Sequence, residues 1–544
     1  MSQFVNSKST LVTDAVDGLL WSTGERLARL DGYPHIKVVV RGDWDKSKVA
    51  LISGGGSGHE PAHAGFVGRG MLTAAICGEV FASPSVDAVL AGILAVTGEP
   101  GCLLIVKNYT GDRLNFGLAA ERARAFGLKV EMVVVDDDIA LPDLPQARGV
   151  AGTLFVHKIA GSSAENDANL AEVTKTARSV IDAVSSIGMS LDTCTIPGSR
   201  KEDRIGAGKA ELGLGIHGEA GVEQVDFETA HNAMAQVLGK LAEKIGTGPH
   251  VALLNNLGST TPLEMSVLAS ELATSPYAGN VRYIIGPAPM MTSLDMHGFS
   301  VSVMPLSKGW QDALETKVEL AAWPGMSALS PVKTLPLPDG LTPIRPIASV
   351  NTKTKAIIEA CCDLLIDAES RLNALDAKSG DGDTGSTLAT AARALKDSLI
   401  RMPLADLTQL FRAIGNELSQ TMGGSSGVIL AIFFSAAGDA FASGKSTAVS
   451  LSAGLSRISQ VGGAVKGDRT MIDALEPALK ILPDGMAAAA AAARAGADAT
   501  AKIGRAKAGR ASYVPEENLI GHNDPGAEAV ALLFEGLAKA LEAA

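Results

Sequence analysis

The sequence predicts an α/β N-terminal half in two lobes, joined by a proline-rich linker to an all-α C-terminal half of roughly eight helices. Three observations support this fold class. Short apolar, β-branched runs alternate with helical patterns up to residue 330, which is typical of a largely parallel, doubly wound sheet. Five prolines then fall within residues 329–347 and predict a semi-rigid, extended linker. From Thr352 to Ala543 the pattern is helical, with almost no strand signal.

These patterns divide the chain into four segments. We predict a first α/β lobe over residues 1–190, a second over 191–330, a linker over 331–350 and an all-helical domain over 351–544. The first lobe begins with helical spacing at 11–30, and its predicted strands are 38–40, 49–52, 74–76, 102–106 and 130–135. In the second lobe a strand is predicted at 251–254, with two more within 281–305. The helical segments of the last domain are 353–374, 386–400, 404–420, 426–442, 446–460, 469–480, 486–502 and 526–542.

Composition restricts the class of protein and the partners. With 544 residues, 46% of them hydrophobic, the chain is long enough for several domains with ordinary cores. A net charge of −12 argues against nucleic acid or an anionic membrane as a partner. The five cysteines are scattered and fit reduced thiols. Since the first residues lack a signal-peptide core and no apolar run of about 18 residues occurs, we predict a cytoplasmic protein without a membrane partner.

A glycine-rich stretch follows the predicted strand at 49–52. Gly54, Gly55, Gly56 and Gly58 precede His59, and glycines at this density permit positive φ angles and a close approach of backbone amides to a bound group. The stretch lacks the Lys-Ser/Thr of a P-loop and the third glycine of a dinucleotide fingerprint. We interpret it as a ligand-binding loop, and a glycine-rich turn with a solvated histidine is the alternative.

Two charged residues are predicted to join this loop. Lys107 and Asp112 flank the turn after the strand at 102–106. The carboxyl ends of neighbouring parallel strands are where α/β sheets place their sites. We therefore expect Lys107 and Asp112 to converge with His59 on one pocket.

A second glycine-bearing stretch surrounds His217. Residues 211–221 read E-L-G-L-G-I-H-G-E-A-G and literally contain G-x-G-x-x-G, but the helix that a nucleotide loop requires does not follow. We interpret them as a short strand whose glycines clear space around His217. A core histidine with a satisfied ring is the alternative.

The helical half carries a cluster of carboxylates. Asp376, Asp381 and Asp383 lie in D-A-K-S-G-D-G-D-T-G-S-T, and carboxylates this close repel one another unless a hard cation such as Mg²⁺ holds them. The alternative is a connecting turn in which Ser386 or Thr387 caps the next helix. Two loops complement the cluster, M-G-G-S-S-G at 422–427 and G-H-N-D-P-G-A at 521–527, and Arg510 lies in an exposed basic loop. Metal, backbone amides and a cation are what phosphoryl transfer needs.

The motifs S-G-G-G-S-G-H-E-P, K-N-Y-T-G-D, G-L-G-I-H-G-E, D-G-D-T-G-S-T, G-G-S-S-G and D-P-G-A occur in this order. Together they resemble the single-chain, ATP-dependent dihydroxyacetone kinase family over nearly the whole chain. The resemblance implies a two-lobed substrate domain, an eight-helix nucleotide domain and a homodimer. It also implies phosphorylation of dihydroxyacetone, and of D-glyceraldehyde, by ATP with two Mg²⁺ ions.

The resemblance also assigns roles to residues. It implies that His217 binds the substrate carbonyl covalently as a hemiaminal and that Asp112 and His59 act on the substrate hydroxyl. The implied substrate contacts are Gly56, Ser57 and Lys107, and the implied Mg²⁺ ligands are Asp376, Asp381 and Asp383. The implied nucleotide-binding residues are Thr384, Gly385, Ser386, Thr387, Gly424, Ser425, Ser426, Gly462, Thr470, Met471, Arg510, Asp524, Pro525 and Gly526. Asn523 departs from the residue that the pattern leads us to expect before Asp-Pro-Gly.

Two other functions compete with the kinase. Some members of the family also cleave FAD to a cyclic flavin nucleotide. Relatives of the substrate domain alone bind dihydroxyacetone without catalysis and act as transcriptional coregulators. Such coregulators are expected to lose the reactive histidine and aspartate, and this chain keeps both His217 and Asp112. A physical reason also favours a tethered kinase, because a covalent bond orients a small, flexible triose that offers little surface for binding.

Overall fold

The computed structural model describes residues 3–140, 147–338 and 347–542. The chain divides into two units, Met1–Thr334 and Leu335–Ala544. Strands and helices alternate in the first unit, and the described part of the second is helical, so the predicted fold class is confirmed. Residues 329–338 form neither helix nor strand, and residues 339–346 of the predicted linker lie outside the described residues. The extended character of the linker stays a prediction.

The first lobe is built on a six-stranded mixed sheet. Its strands are β1 (Leu27–Arg29), β2 (Val38–Arg41), β3 (Ala50–Ser57), β4 (Ala74–Val80), β5 (Cys102–Lys107) and β6 (Val130–Val135). They lie in the order β1-β2-β4-β3-β5-β6. The strands β4, β3, β5 and β6 are parallel, whereas β1 and β2 form an antiparallel edge. The carboxyl ends of the parallel strands therefore lie at one edge of the sheet.

Helices cover both faces of this sheet. They are α1 (Leu11–Thr23), α2 (Val86–Val96), α3 (Thr110–Ala125), α4 (Thr153–Glu165) and α5 (Leu170–Ile181). Side chains alternate along each strand, so that Leu51 and Leu103 pack into the core of α1, α4 and α5, while Ile52 and Leu104 pack into the core of α2 and α3. Because both faces of these strands are buried, successive positions along them are apolar, and these parts of the strands are continuous apolar runs in the sequence.

The second lobe has a seven-stranded sheet. Its strands are β7 (Ser185–Ser190), β8 (Lys209–Leu212), β9 (Glu223–Asp226), β10 (His250–Asn256), β11 (Val281–Ala288), β12 (Gly298–Pro305) and β13 (Met326–Ala328), in the order β13-β11-β10-β12-β7-β8-β9. The pair β10–β11 is parallel and the other neighbouring pairs are antiparallel, so the prediction of a largely parallel sheet is wrong for this lobe. Its helices are α6 (Ala230–Leu241), α7 (Pro262–Thr274) and α8 (Lys308–Glu315).

The second sheet begins earlier than residue 191, where the sequence pattern places the start of the lobe. The strand β7 has the sequence Ser-Ser-Ile-Gly-Met-Ser and pairs with β12 along its whole length. All six of its residues are buried. Small polar residues carry no strand propensity of their own, so this strand forms through pairing that a local pattern does not reveal.

The described residues of the C-terminal unit contain ten helices. They are α9 (Thr352–Asp367), α10 (Glu369–Ser379), α11 (Thr384–Ser398), α12 (Leu407–Thr421), α13 (Gly424–Ala442), α14 (Thr447–Gly462), α15 (Ile472–Ile481), α16 (Met486–Thr500), α17 (Glu516–Leu519) and α18 (Pro525–Glu542). The predicted helix at 353–374 is two helices, α9 and α10. Glu369 at the start of α10 contacts Arg393 of α11 at 2.7 Å, a tertiary contact that periodicity does not show.

Eight of these helices pack in a closed ring, in the order α9-α11-α12-α13-α14-α15-α16-α18 and back to α9. Short connections join α11 through α16, so these neighbours are antiparallel. At the closure, Ala368 after α9 packs against Ala529 near the start of α18, and Thr500 at the end of α16 accepts a hydrogen bond from the amide of Asp524. The N-termini of α11, α13, α15 and α18 consequently lie at the same end of the ring. Among the described residues no helix has the length and apolar character needed to cross a membrane.

Candidate active site

The glycine-rich stretch forms part of a strand rather than a loop. Residues Ser53 to Ser57 belong to β3, which runs beside β4. A Cβ on Gly54 would lie 2.3 Å from the carbonyl oxygen of Ile76, and a Cβ on Gly56 would lie 2.7 Å from the amide nitrogen of Ala82. Glycines are therefore required here by the close approach of neighbouring backbone. The prediction of a loop is wrong because glycine density marks close packing as well as turns.

His59 is fully buried at the end of this strand, which excludes a solvated ring. Its Nδ1 lies 2.8 Å from the carbonyl oxygen of Thr292, and since a carbonyl only accepts, Nδ1 carries the hydrogen. The Nε2 atom therefore has a free lone pair, with no hydrogen-bond partner among the described residues. Burial, the charge of Lys107 and the nearby His217 all hold the pKa of His59 well below its usual value. The ring is neutral near pH 7.

His217 lies beside His59 in a turn that follows β8, not on a strand. The two ring centroids are 4.8 Å apart. The carboxylate of Glu219 accepts the backbone amide of His217 at 2.9 Å and lies 3.2 Å from Nδ1 of its ring. A Cβ on Gly215 would lie 2.1 Å from Oε2 of Glu219, so this glycine clears space for the carboxylate rather than for the ring itself.

The charge of Glu219 determines which nitrogen of His217 is free. Burial alone would raise the pKa of Glu219, but the hydrogen bond and charge of His217 lower it to about 2. An ionised carboxylate only accepts hydrogen bonds, so Nδ1 of His217 carries a hydrogen, and in the neutral ring the lone pair is on Nε2. The neutral ring of His217 thus has its lone pair on Nε2, as the ring of His59 does, although through a different partner.

Lys107 and Asp112 complete the pocket, as the sequence predicts. Lys107 ends β5 and Asp112 lies in the first turn of α3. Burial lowers the pKa of Lys107 to about 8, and burial raises the pKa of Asp112. Nζ of Lys107 and Oδ1 of Asp112 have no hydrogen-bond partner within the described part of the chain. Buried polar atoms without partners are uncommon, and several in one place favour a bound polar ligand.

Aromatic rings connect these charged groups. Nζ of Lys107 lies 5.8 Å from the ring centroid of Tyr109, and the Tyr109 ring lies 4.3 Å from that of His217. A Cβ on Gly55 would be 3.2 Å from Oδ2 of Asp112, so the glycine strand forms one wall of the pocket. The hydroxyl of Ser57 donates to the carbonyl of Gly78 at 2.8 Å, so it is already used within the fold.

Sequence reasoning missed several residues of this pocket. Tyr109 and Glu219 stand inside the motifs K-N-Y-T-G-D and G-L-G-I-H-G-E, so a signal for them existed. Phe81, whose ring lies 5.3 Å from that of His59, belongs to no motif. Thr292 stands 233 residues from His59 in the chain, and no local pattern indicates such a contact.

The three aspartates of the helical unit form the predicted cluster. One carboxylate oxygen from each of Asp376, Asp381 and Asp383 lies within 4.8 Å of the others. Asp376 is buried, and its Oδ2 accepts the amides of Gly382, Asp383 and Thr384 at 3.0–3.2 Å. A Cβ on Gly380 would lie 2.5 Å from Oδ1 of Asp376, so the loop closes tightly around the carboxylate. Clustered oxygen ligands on a rigid loop fit Mg²⁺.

The capping alternative does not describe this loop. Asp383, rather than Ser386 or Thr387, occupies the N-cap position of α11, and its side chain makes no capping bond. The Ser386 hydroxyl instead contacts Asn373 at 2.9 Å and Glu369 at 3.1 Å. The carboxylate of Asp383 therefore remains available to a cation.

The predicted nucleotide-binding residues gather at one end of the helical ring. Thr384, Gly385, Ser386 and Thr387 begin α11, and Gly424, Ser425 and Ser426 begin α13. Thr470 and Met471 precede α15, Pro525 and Gly526 begin α18, and Gly462 ends α14. A Cβ on Gly526 would lie 3.3 Å from the Cβ of Met471, which places two of these segments in contact. Arg510 opens a short 3₁₀ turn, and its side chain and that of Ser425 lie outside the described ones.

A buried network supports the Asp-Pro-Gly turn at 524–526. Burial raises the pKa of Asp524 to about 6, and its Oδ1 accepts the amide of Ala527. Asn523 is the residue that departs from the expected pattern. Its side-chain amide donates to Asp498 and to the fully buried Glu528. Asn523 therefore links α16 to α18. These two hydrogen bonds give a structural reason for an asparagine at this position.

Fold and sites together define a protein of two units, with buried histidine, lysine and aspartate side chains clustered in one unit and several helix N-termini beside an acidic cluster in the other, the second being an arrangement suited to binding phosphate. Comparison with known proteins then assigns the family. A Dak1 domain matches residues 18–322 and a DAK2 domain matches residues 378–539. The chain belongs to the dihydroxyacetone kinase family.

Individual relatives match over the full chain. The chain is 48% identical to the dihydroxyacetone kinase of Citrobacter freundii and 38% identical to the triokinase/FMN cyclase of Homo sapiens, in each case over 99% of both chains. The crystal structure of the C. freundii dihydroxyacetone kinase in complex with AMP-PNP and Mg²⁺ matches with a TM-score of 0.68 at 46% identity, covering 99% of each chain. The family resemblance inferred from the motifs is thus confirmed.

Proposed function

We propose that this protein transfers the terminal phosphoryl group of ATP to a hydroxyl of dihydroxyacetone, and also to D-glyceraldehyde. The observation that carries the proposal is the buried pocket in which His59, His217, Lys107 and Asp112 meet with unpartnered polar atoms. The names of the relatives support it, since they include a dihydroxyacetone kinase and a triokinase. The proposal includes a cytoplasmic location, as the sequence predicts, and a homodimer, as the resemblance implies.

His217 is the proposed nucleophile. The lone pair on its Nε2 attacks the carbonyl carbon of the triose, a carbon–nitrogen bond forms and the carbon–oxygen π bond opens. The oxygen takes up one proton and the alkylated ring releases its Nδ1 proton toward Glu219, so that the hemiaminal is neutral. Glu219 contributes by holding the ring through Nδ1, which keeps the lone pair on Nε2. A tether of this kind lowers the entropic barrier of the later transfer, because the substrate hydroxyl is fixed in place.

Asp112 is the proposed base for the substrate hydroxyl. The hydroxyl has a single hydrogen: in the bound substrate the unprotonated Nε2 of His59 accepts it in a hydrogen bond that polarises the O–H group, and the carboxylate of Asp112 takes up the proton as the oxygen attacks phosphorus. Lys107 supplies positive charge beside Asp112, which helps to keep that carboxylate ionised in a buried site. Gly56 and Ser57 contribute backbone groups at the wall of the pocket, since the Ser57 hydroxyl is used by the carbonyl of Gly78.

Asp376, Asp381 and Asp383 are the proposed ligands of two Mg²⁺ ions, which neutralise phosphate charge when bound. The N-termini of α11, α13, α15 and α18 orient backbone amides toward the same end of the ring. A helix N-terminus carries a partial positive charge and binds phosphate well. The nucleotide-binding residues named from the sequence supply these termini.

We predict that Glu219→Gln lowers kcat by about tenfold to a hundredfold, because a neutral amide no longer fixes the tautomer of His217. The KM for ATP is expected to stay unchanged. Steady-state kinetics with both substrates varied measures the two effects. The exposed Glu223→Gln serves as the matched control, and an equal loss of activity in both variants contradicts a specific role for Glu219.

We predict a bell-shaped dependence of kcat/KM for dihydroxyacetone on pH. Burial raises the pKa of Asp112, so activity falls on the acid side as this base is protonated. The pKa of Lys107 is about 8, so its charge is present below pH 8 and is lost above it, which sets the alkaline limb. In Lys107→Arg the charge persists and the alkaline limb moves upward, whereas Lys129→Arg on the surface leaves it in place. An alkaline limb that does not move in Lys107→Arg contradicts this assignment.

The proposed function is tested with the purified chain, ATP and Mg²⁺. Dihydroxyacetone and D-glyceraldehyde are expected to be phosphorylated, and glycerol is expected to be inert because it lacks the carbonyl that His217 must attack. Phosphorylation of glycerol as fast as dihydroxyacetone contradicts the tether. Absence of phosphorylation of any triose contradicts the function.

A second activity is favoured by one comparison, the 38% identity to a triokinase/FMN cyclase. We propose that the same nucleotide end accepts FAD and releases a cyclic flavin nucleotide. Incubation with FAD and Mn²⁺, followed by chromatography of the products, tests this. Unchanged FAD under conditions in which the kinase is active rejects it.

A further inference from the structure

Arg469 is an unusual residue beside the nucleotide end of the ring. It lies in the connection between α14 and α15, immediately before Thr470, and only 1% of its surface is exposed. Its φ angle is +63°, a left-handed conformation that residues with a side chain rarely adopt. Backbone of this kind costs free energy and is concentrated at ligand sites and switch regions.

The side chain of Arg469 reaches a distant part of the chain. Its Nη2 donates to the carbonyl oxygen of His522 at 2.8 Å and to that of Leu519 at 3.3 Å. These carbonyls belong to the segment that leads directly into Asp524, Pro525 and Gly526. One residue therefore joins two predicted nucleotide-binding segments, the first through its backbone and the second through its guanidinium group.

The turn that carries Arg469 is itself firmly held. The carboxylate of Asp473 accepts the amide of Gly467 at 2.6 Å and the amide of Thr470 at 2.8 Å. The carbonyl of Asp468 accepts the amide of Lys507 at 3.2 Å. Because the turn is held in this way, the guanidinium group fixes the position of the segment at 519–526 relative to the turn.

The charge of Arg469 acts on the carboxylate of Asp524 without a close ion pair, and it lowers the pKa of that carboxylate against the effect of burial. Its Nε and Nη1 are buried and have no hydrogen-bond partner, and no carboxylate of the described residues forms an ion pair with it. Two of its donor atoms therefore stay buried and unused, while the nearby carboxylate of Asp524 offsets part of its charge. The start of α15 and the start of α18, where phosphate is proposed to bind, are the helix termini beside it.

We propose that Arg469 is a positioning residue of the nucleotide site, which holds the segment 519–526 against Thr470 and Met471 through its hydrogen bonds to two carbonyls and its charge interaction with Asp524. The proposal rests on the proposed function, because it assumes that this end of the ring binds ATP. The proposal adds Arg469 to the nucleotide-binding residues named from the sequence, which include Thr470, Met471 and the turn at 524–526 but not Arg469 itself.

The test compares Arg469→Lys and Arg469→Met with Arg412→Met, an exposed arginine of α12 that pairs with Asp439. Calorimetry measures binding of AMP-PNP with Mg²⁺, of ADP with Mg²⁺, and of adenosine. Arg469→Met is expected to weaken AMP-PNP binding by about tenfold or more, which corresponds to about 1.4 kcal/mol. Arg469→Lys keeps the charge but loses the planar fork, so an intermediate loss is expected. Adenosine binding is expected to change least, and the KM for dihydroxyacetone is expected to stay the same.

The outcomes separate the explanations. If the wild-type chain does not bind AMP-PNP, the result contradicts the proposed function, on which the inference rests. If the wild type binds but both Arg469 variants bind equally well and merely melt at lower temperature, Arg469 is only structural and the inference is overturned. If Arg469→Met does not fold, Arg469→Lys decides the question, and AMP-PNP affinity equal to wild type in that variant also overturns the inference.

Discussion

His217→Ala abolishes phosphorylation of dihydroxyacetone, with an expected fall in kcat/KM of about a thousandfold or more. The substitution removes the nucleophile, and with it the covalent bond that fixes a triose too small to be held by surface contact alone. His59, Lys107 and Asp112 remain in place, so residual activity is expected to come from weak, untethered binding. Binding of ATP is expected to be unchanged, because the nucleotide end lies in the other unit of the chain.

Two measurements check this expectation. Kinetics of His217→Ala are compared with those of His231→Ala, an exposed histidine of α6 that contacts Glu271 at 2.8 Å. A crystal of the wild type soaked with dihydroxyacetone is expected to show continuous density between Nε2 of His217 and the carbonyl carbon. A fully occupied substrate that is not bonded to the ring rejects the tether, even where the alanine variant has lost activity.

Asp381→Ala and Asp383→Ala each remove the Mg²⁺-dependent binding of ATP, while binding of dihydroxyacetone survives. The phosphates of ATP carry several negative charges, and in a chain of net charge −12 they need metal to approach the acidic cluster. Removing one ligand from a small set is expected to weaken AMP-PNP binding by about a hundredfold. The two units are separate, so the pocket around His217 is expected to keep its triose affinity.

Calorimetry with AMP-PNP, in the presence and absence of Mg²⁺, measures this effect. Asp439→Ala on the exposed surface of α13 is the control. Asp376→Ala is a less informative variant, because its carboxylate also accepts three backbone amides and its loss is expected to lower the melting temperature. Loss of triose binding with intact ATP binding in Asp381→Ala or Asp383→Ala would reverse the assignment of the two units.

The sequence predicts the elements whose burial follows a regular period. The strands β5 and β6 are nearly continuous apolar runs, because both faces of each meet a core, and the helices of the ring show apolar spacing of about 3.6 residues, because one face of each meets a core. The convergence of His59, Lys107 and Asp112 was also predictable, since adjacent parallel strands end at the same edge of a sheet. In each of these cases local spacing and tertiary position have the same physical cause.

The features that the sequence does not predict depend on contacts between distant residues. The glycines of β3 serve close packing against Ile76 and Ala82, and β7 becomes a strand by pairing with β12. The orientation of His59 depends on the carbonyl of Thr292. Neither periodicity nor motif spacing contains this information, so the tautomers of the two histidines could be read only from the structure.

The closed ring has a consequence for how the helical unit tolerates changes in length. Because neighbouring helices alternate in direction, the connections at 399–406, 443–446 and 482–485 lie at the end opposite the acidic cluster and the predicted nucleotide segments. Insertions there extend the ring away from the site and add only a modest loop-closure entropy. Insertions at 380–383 or 463–471 displace site residues directly. Tolerance to insertion should therefore alternate from one connection to the next along the sequence.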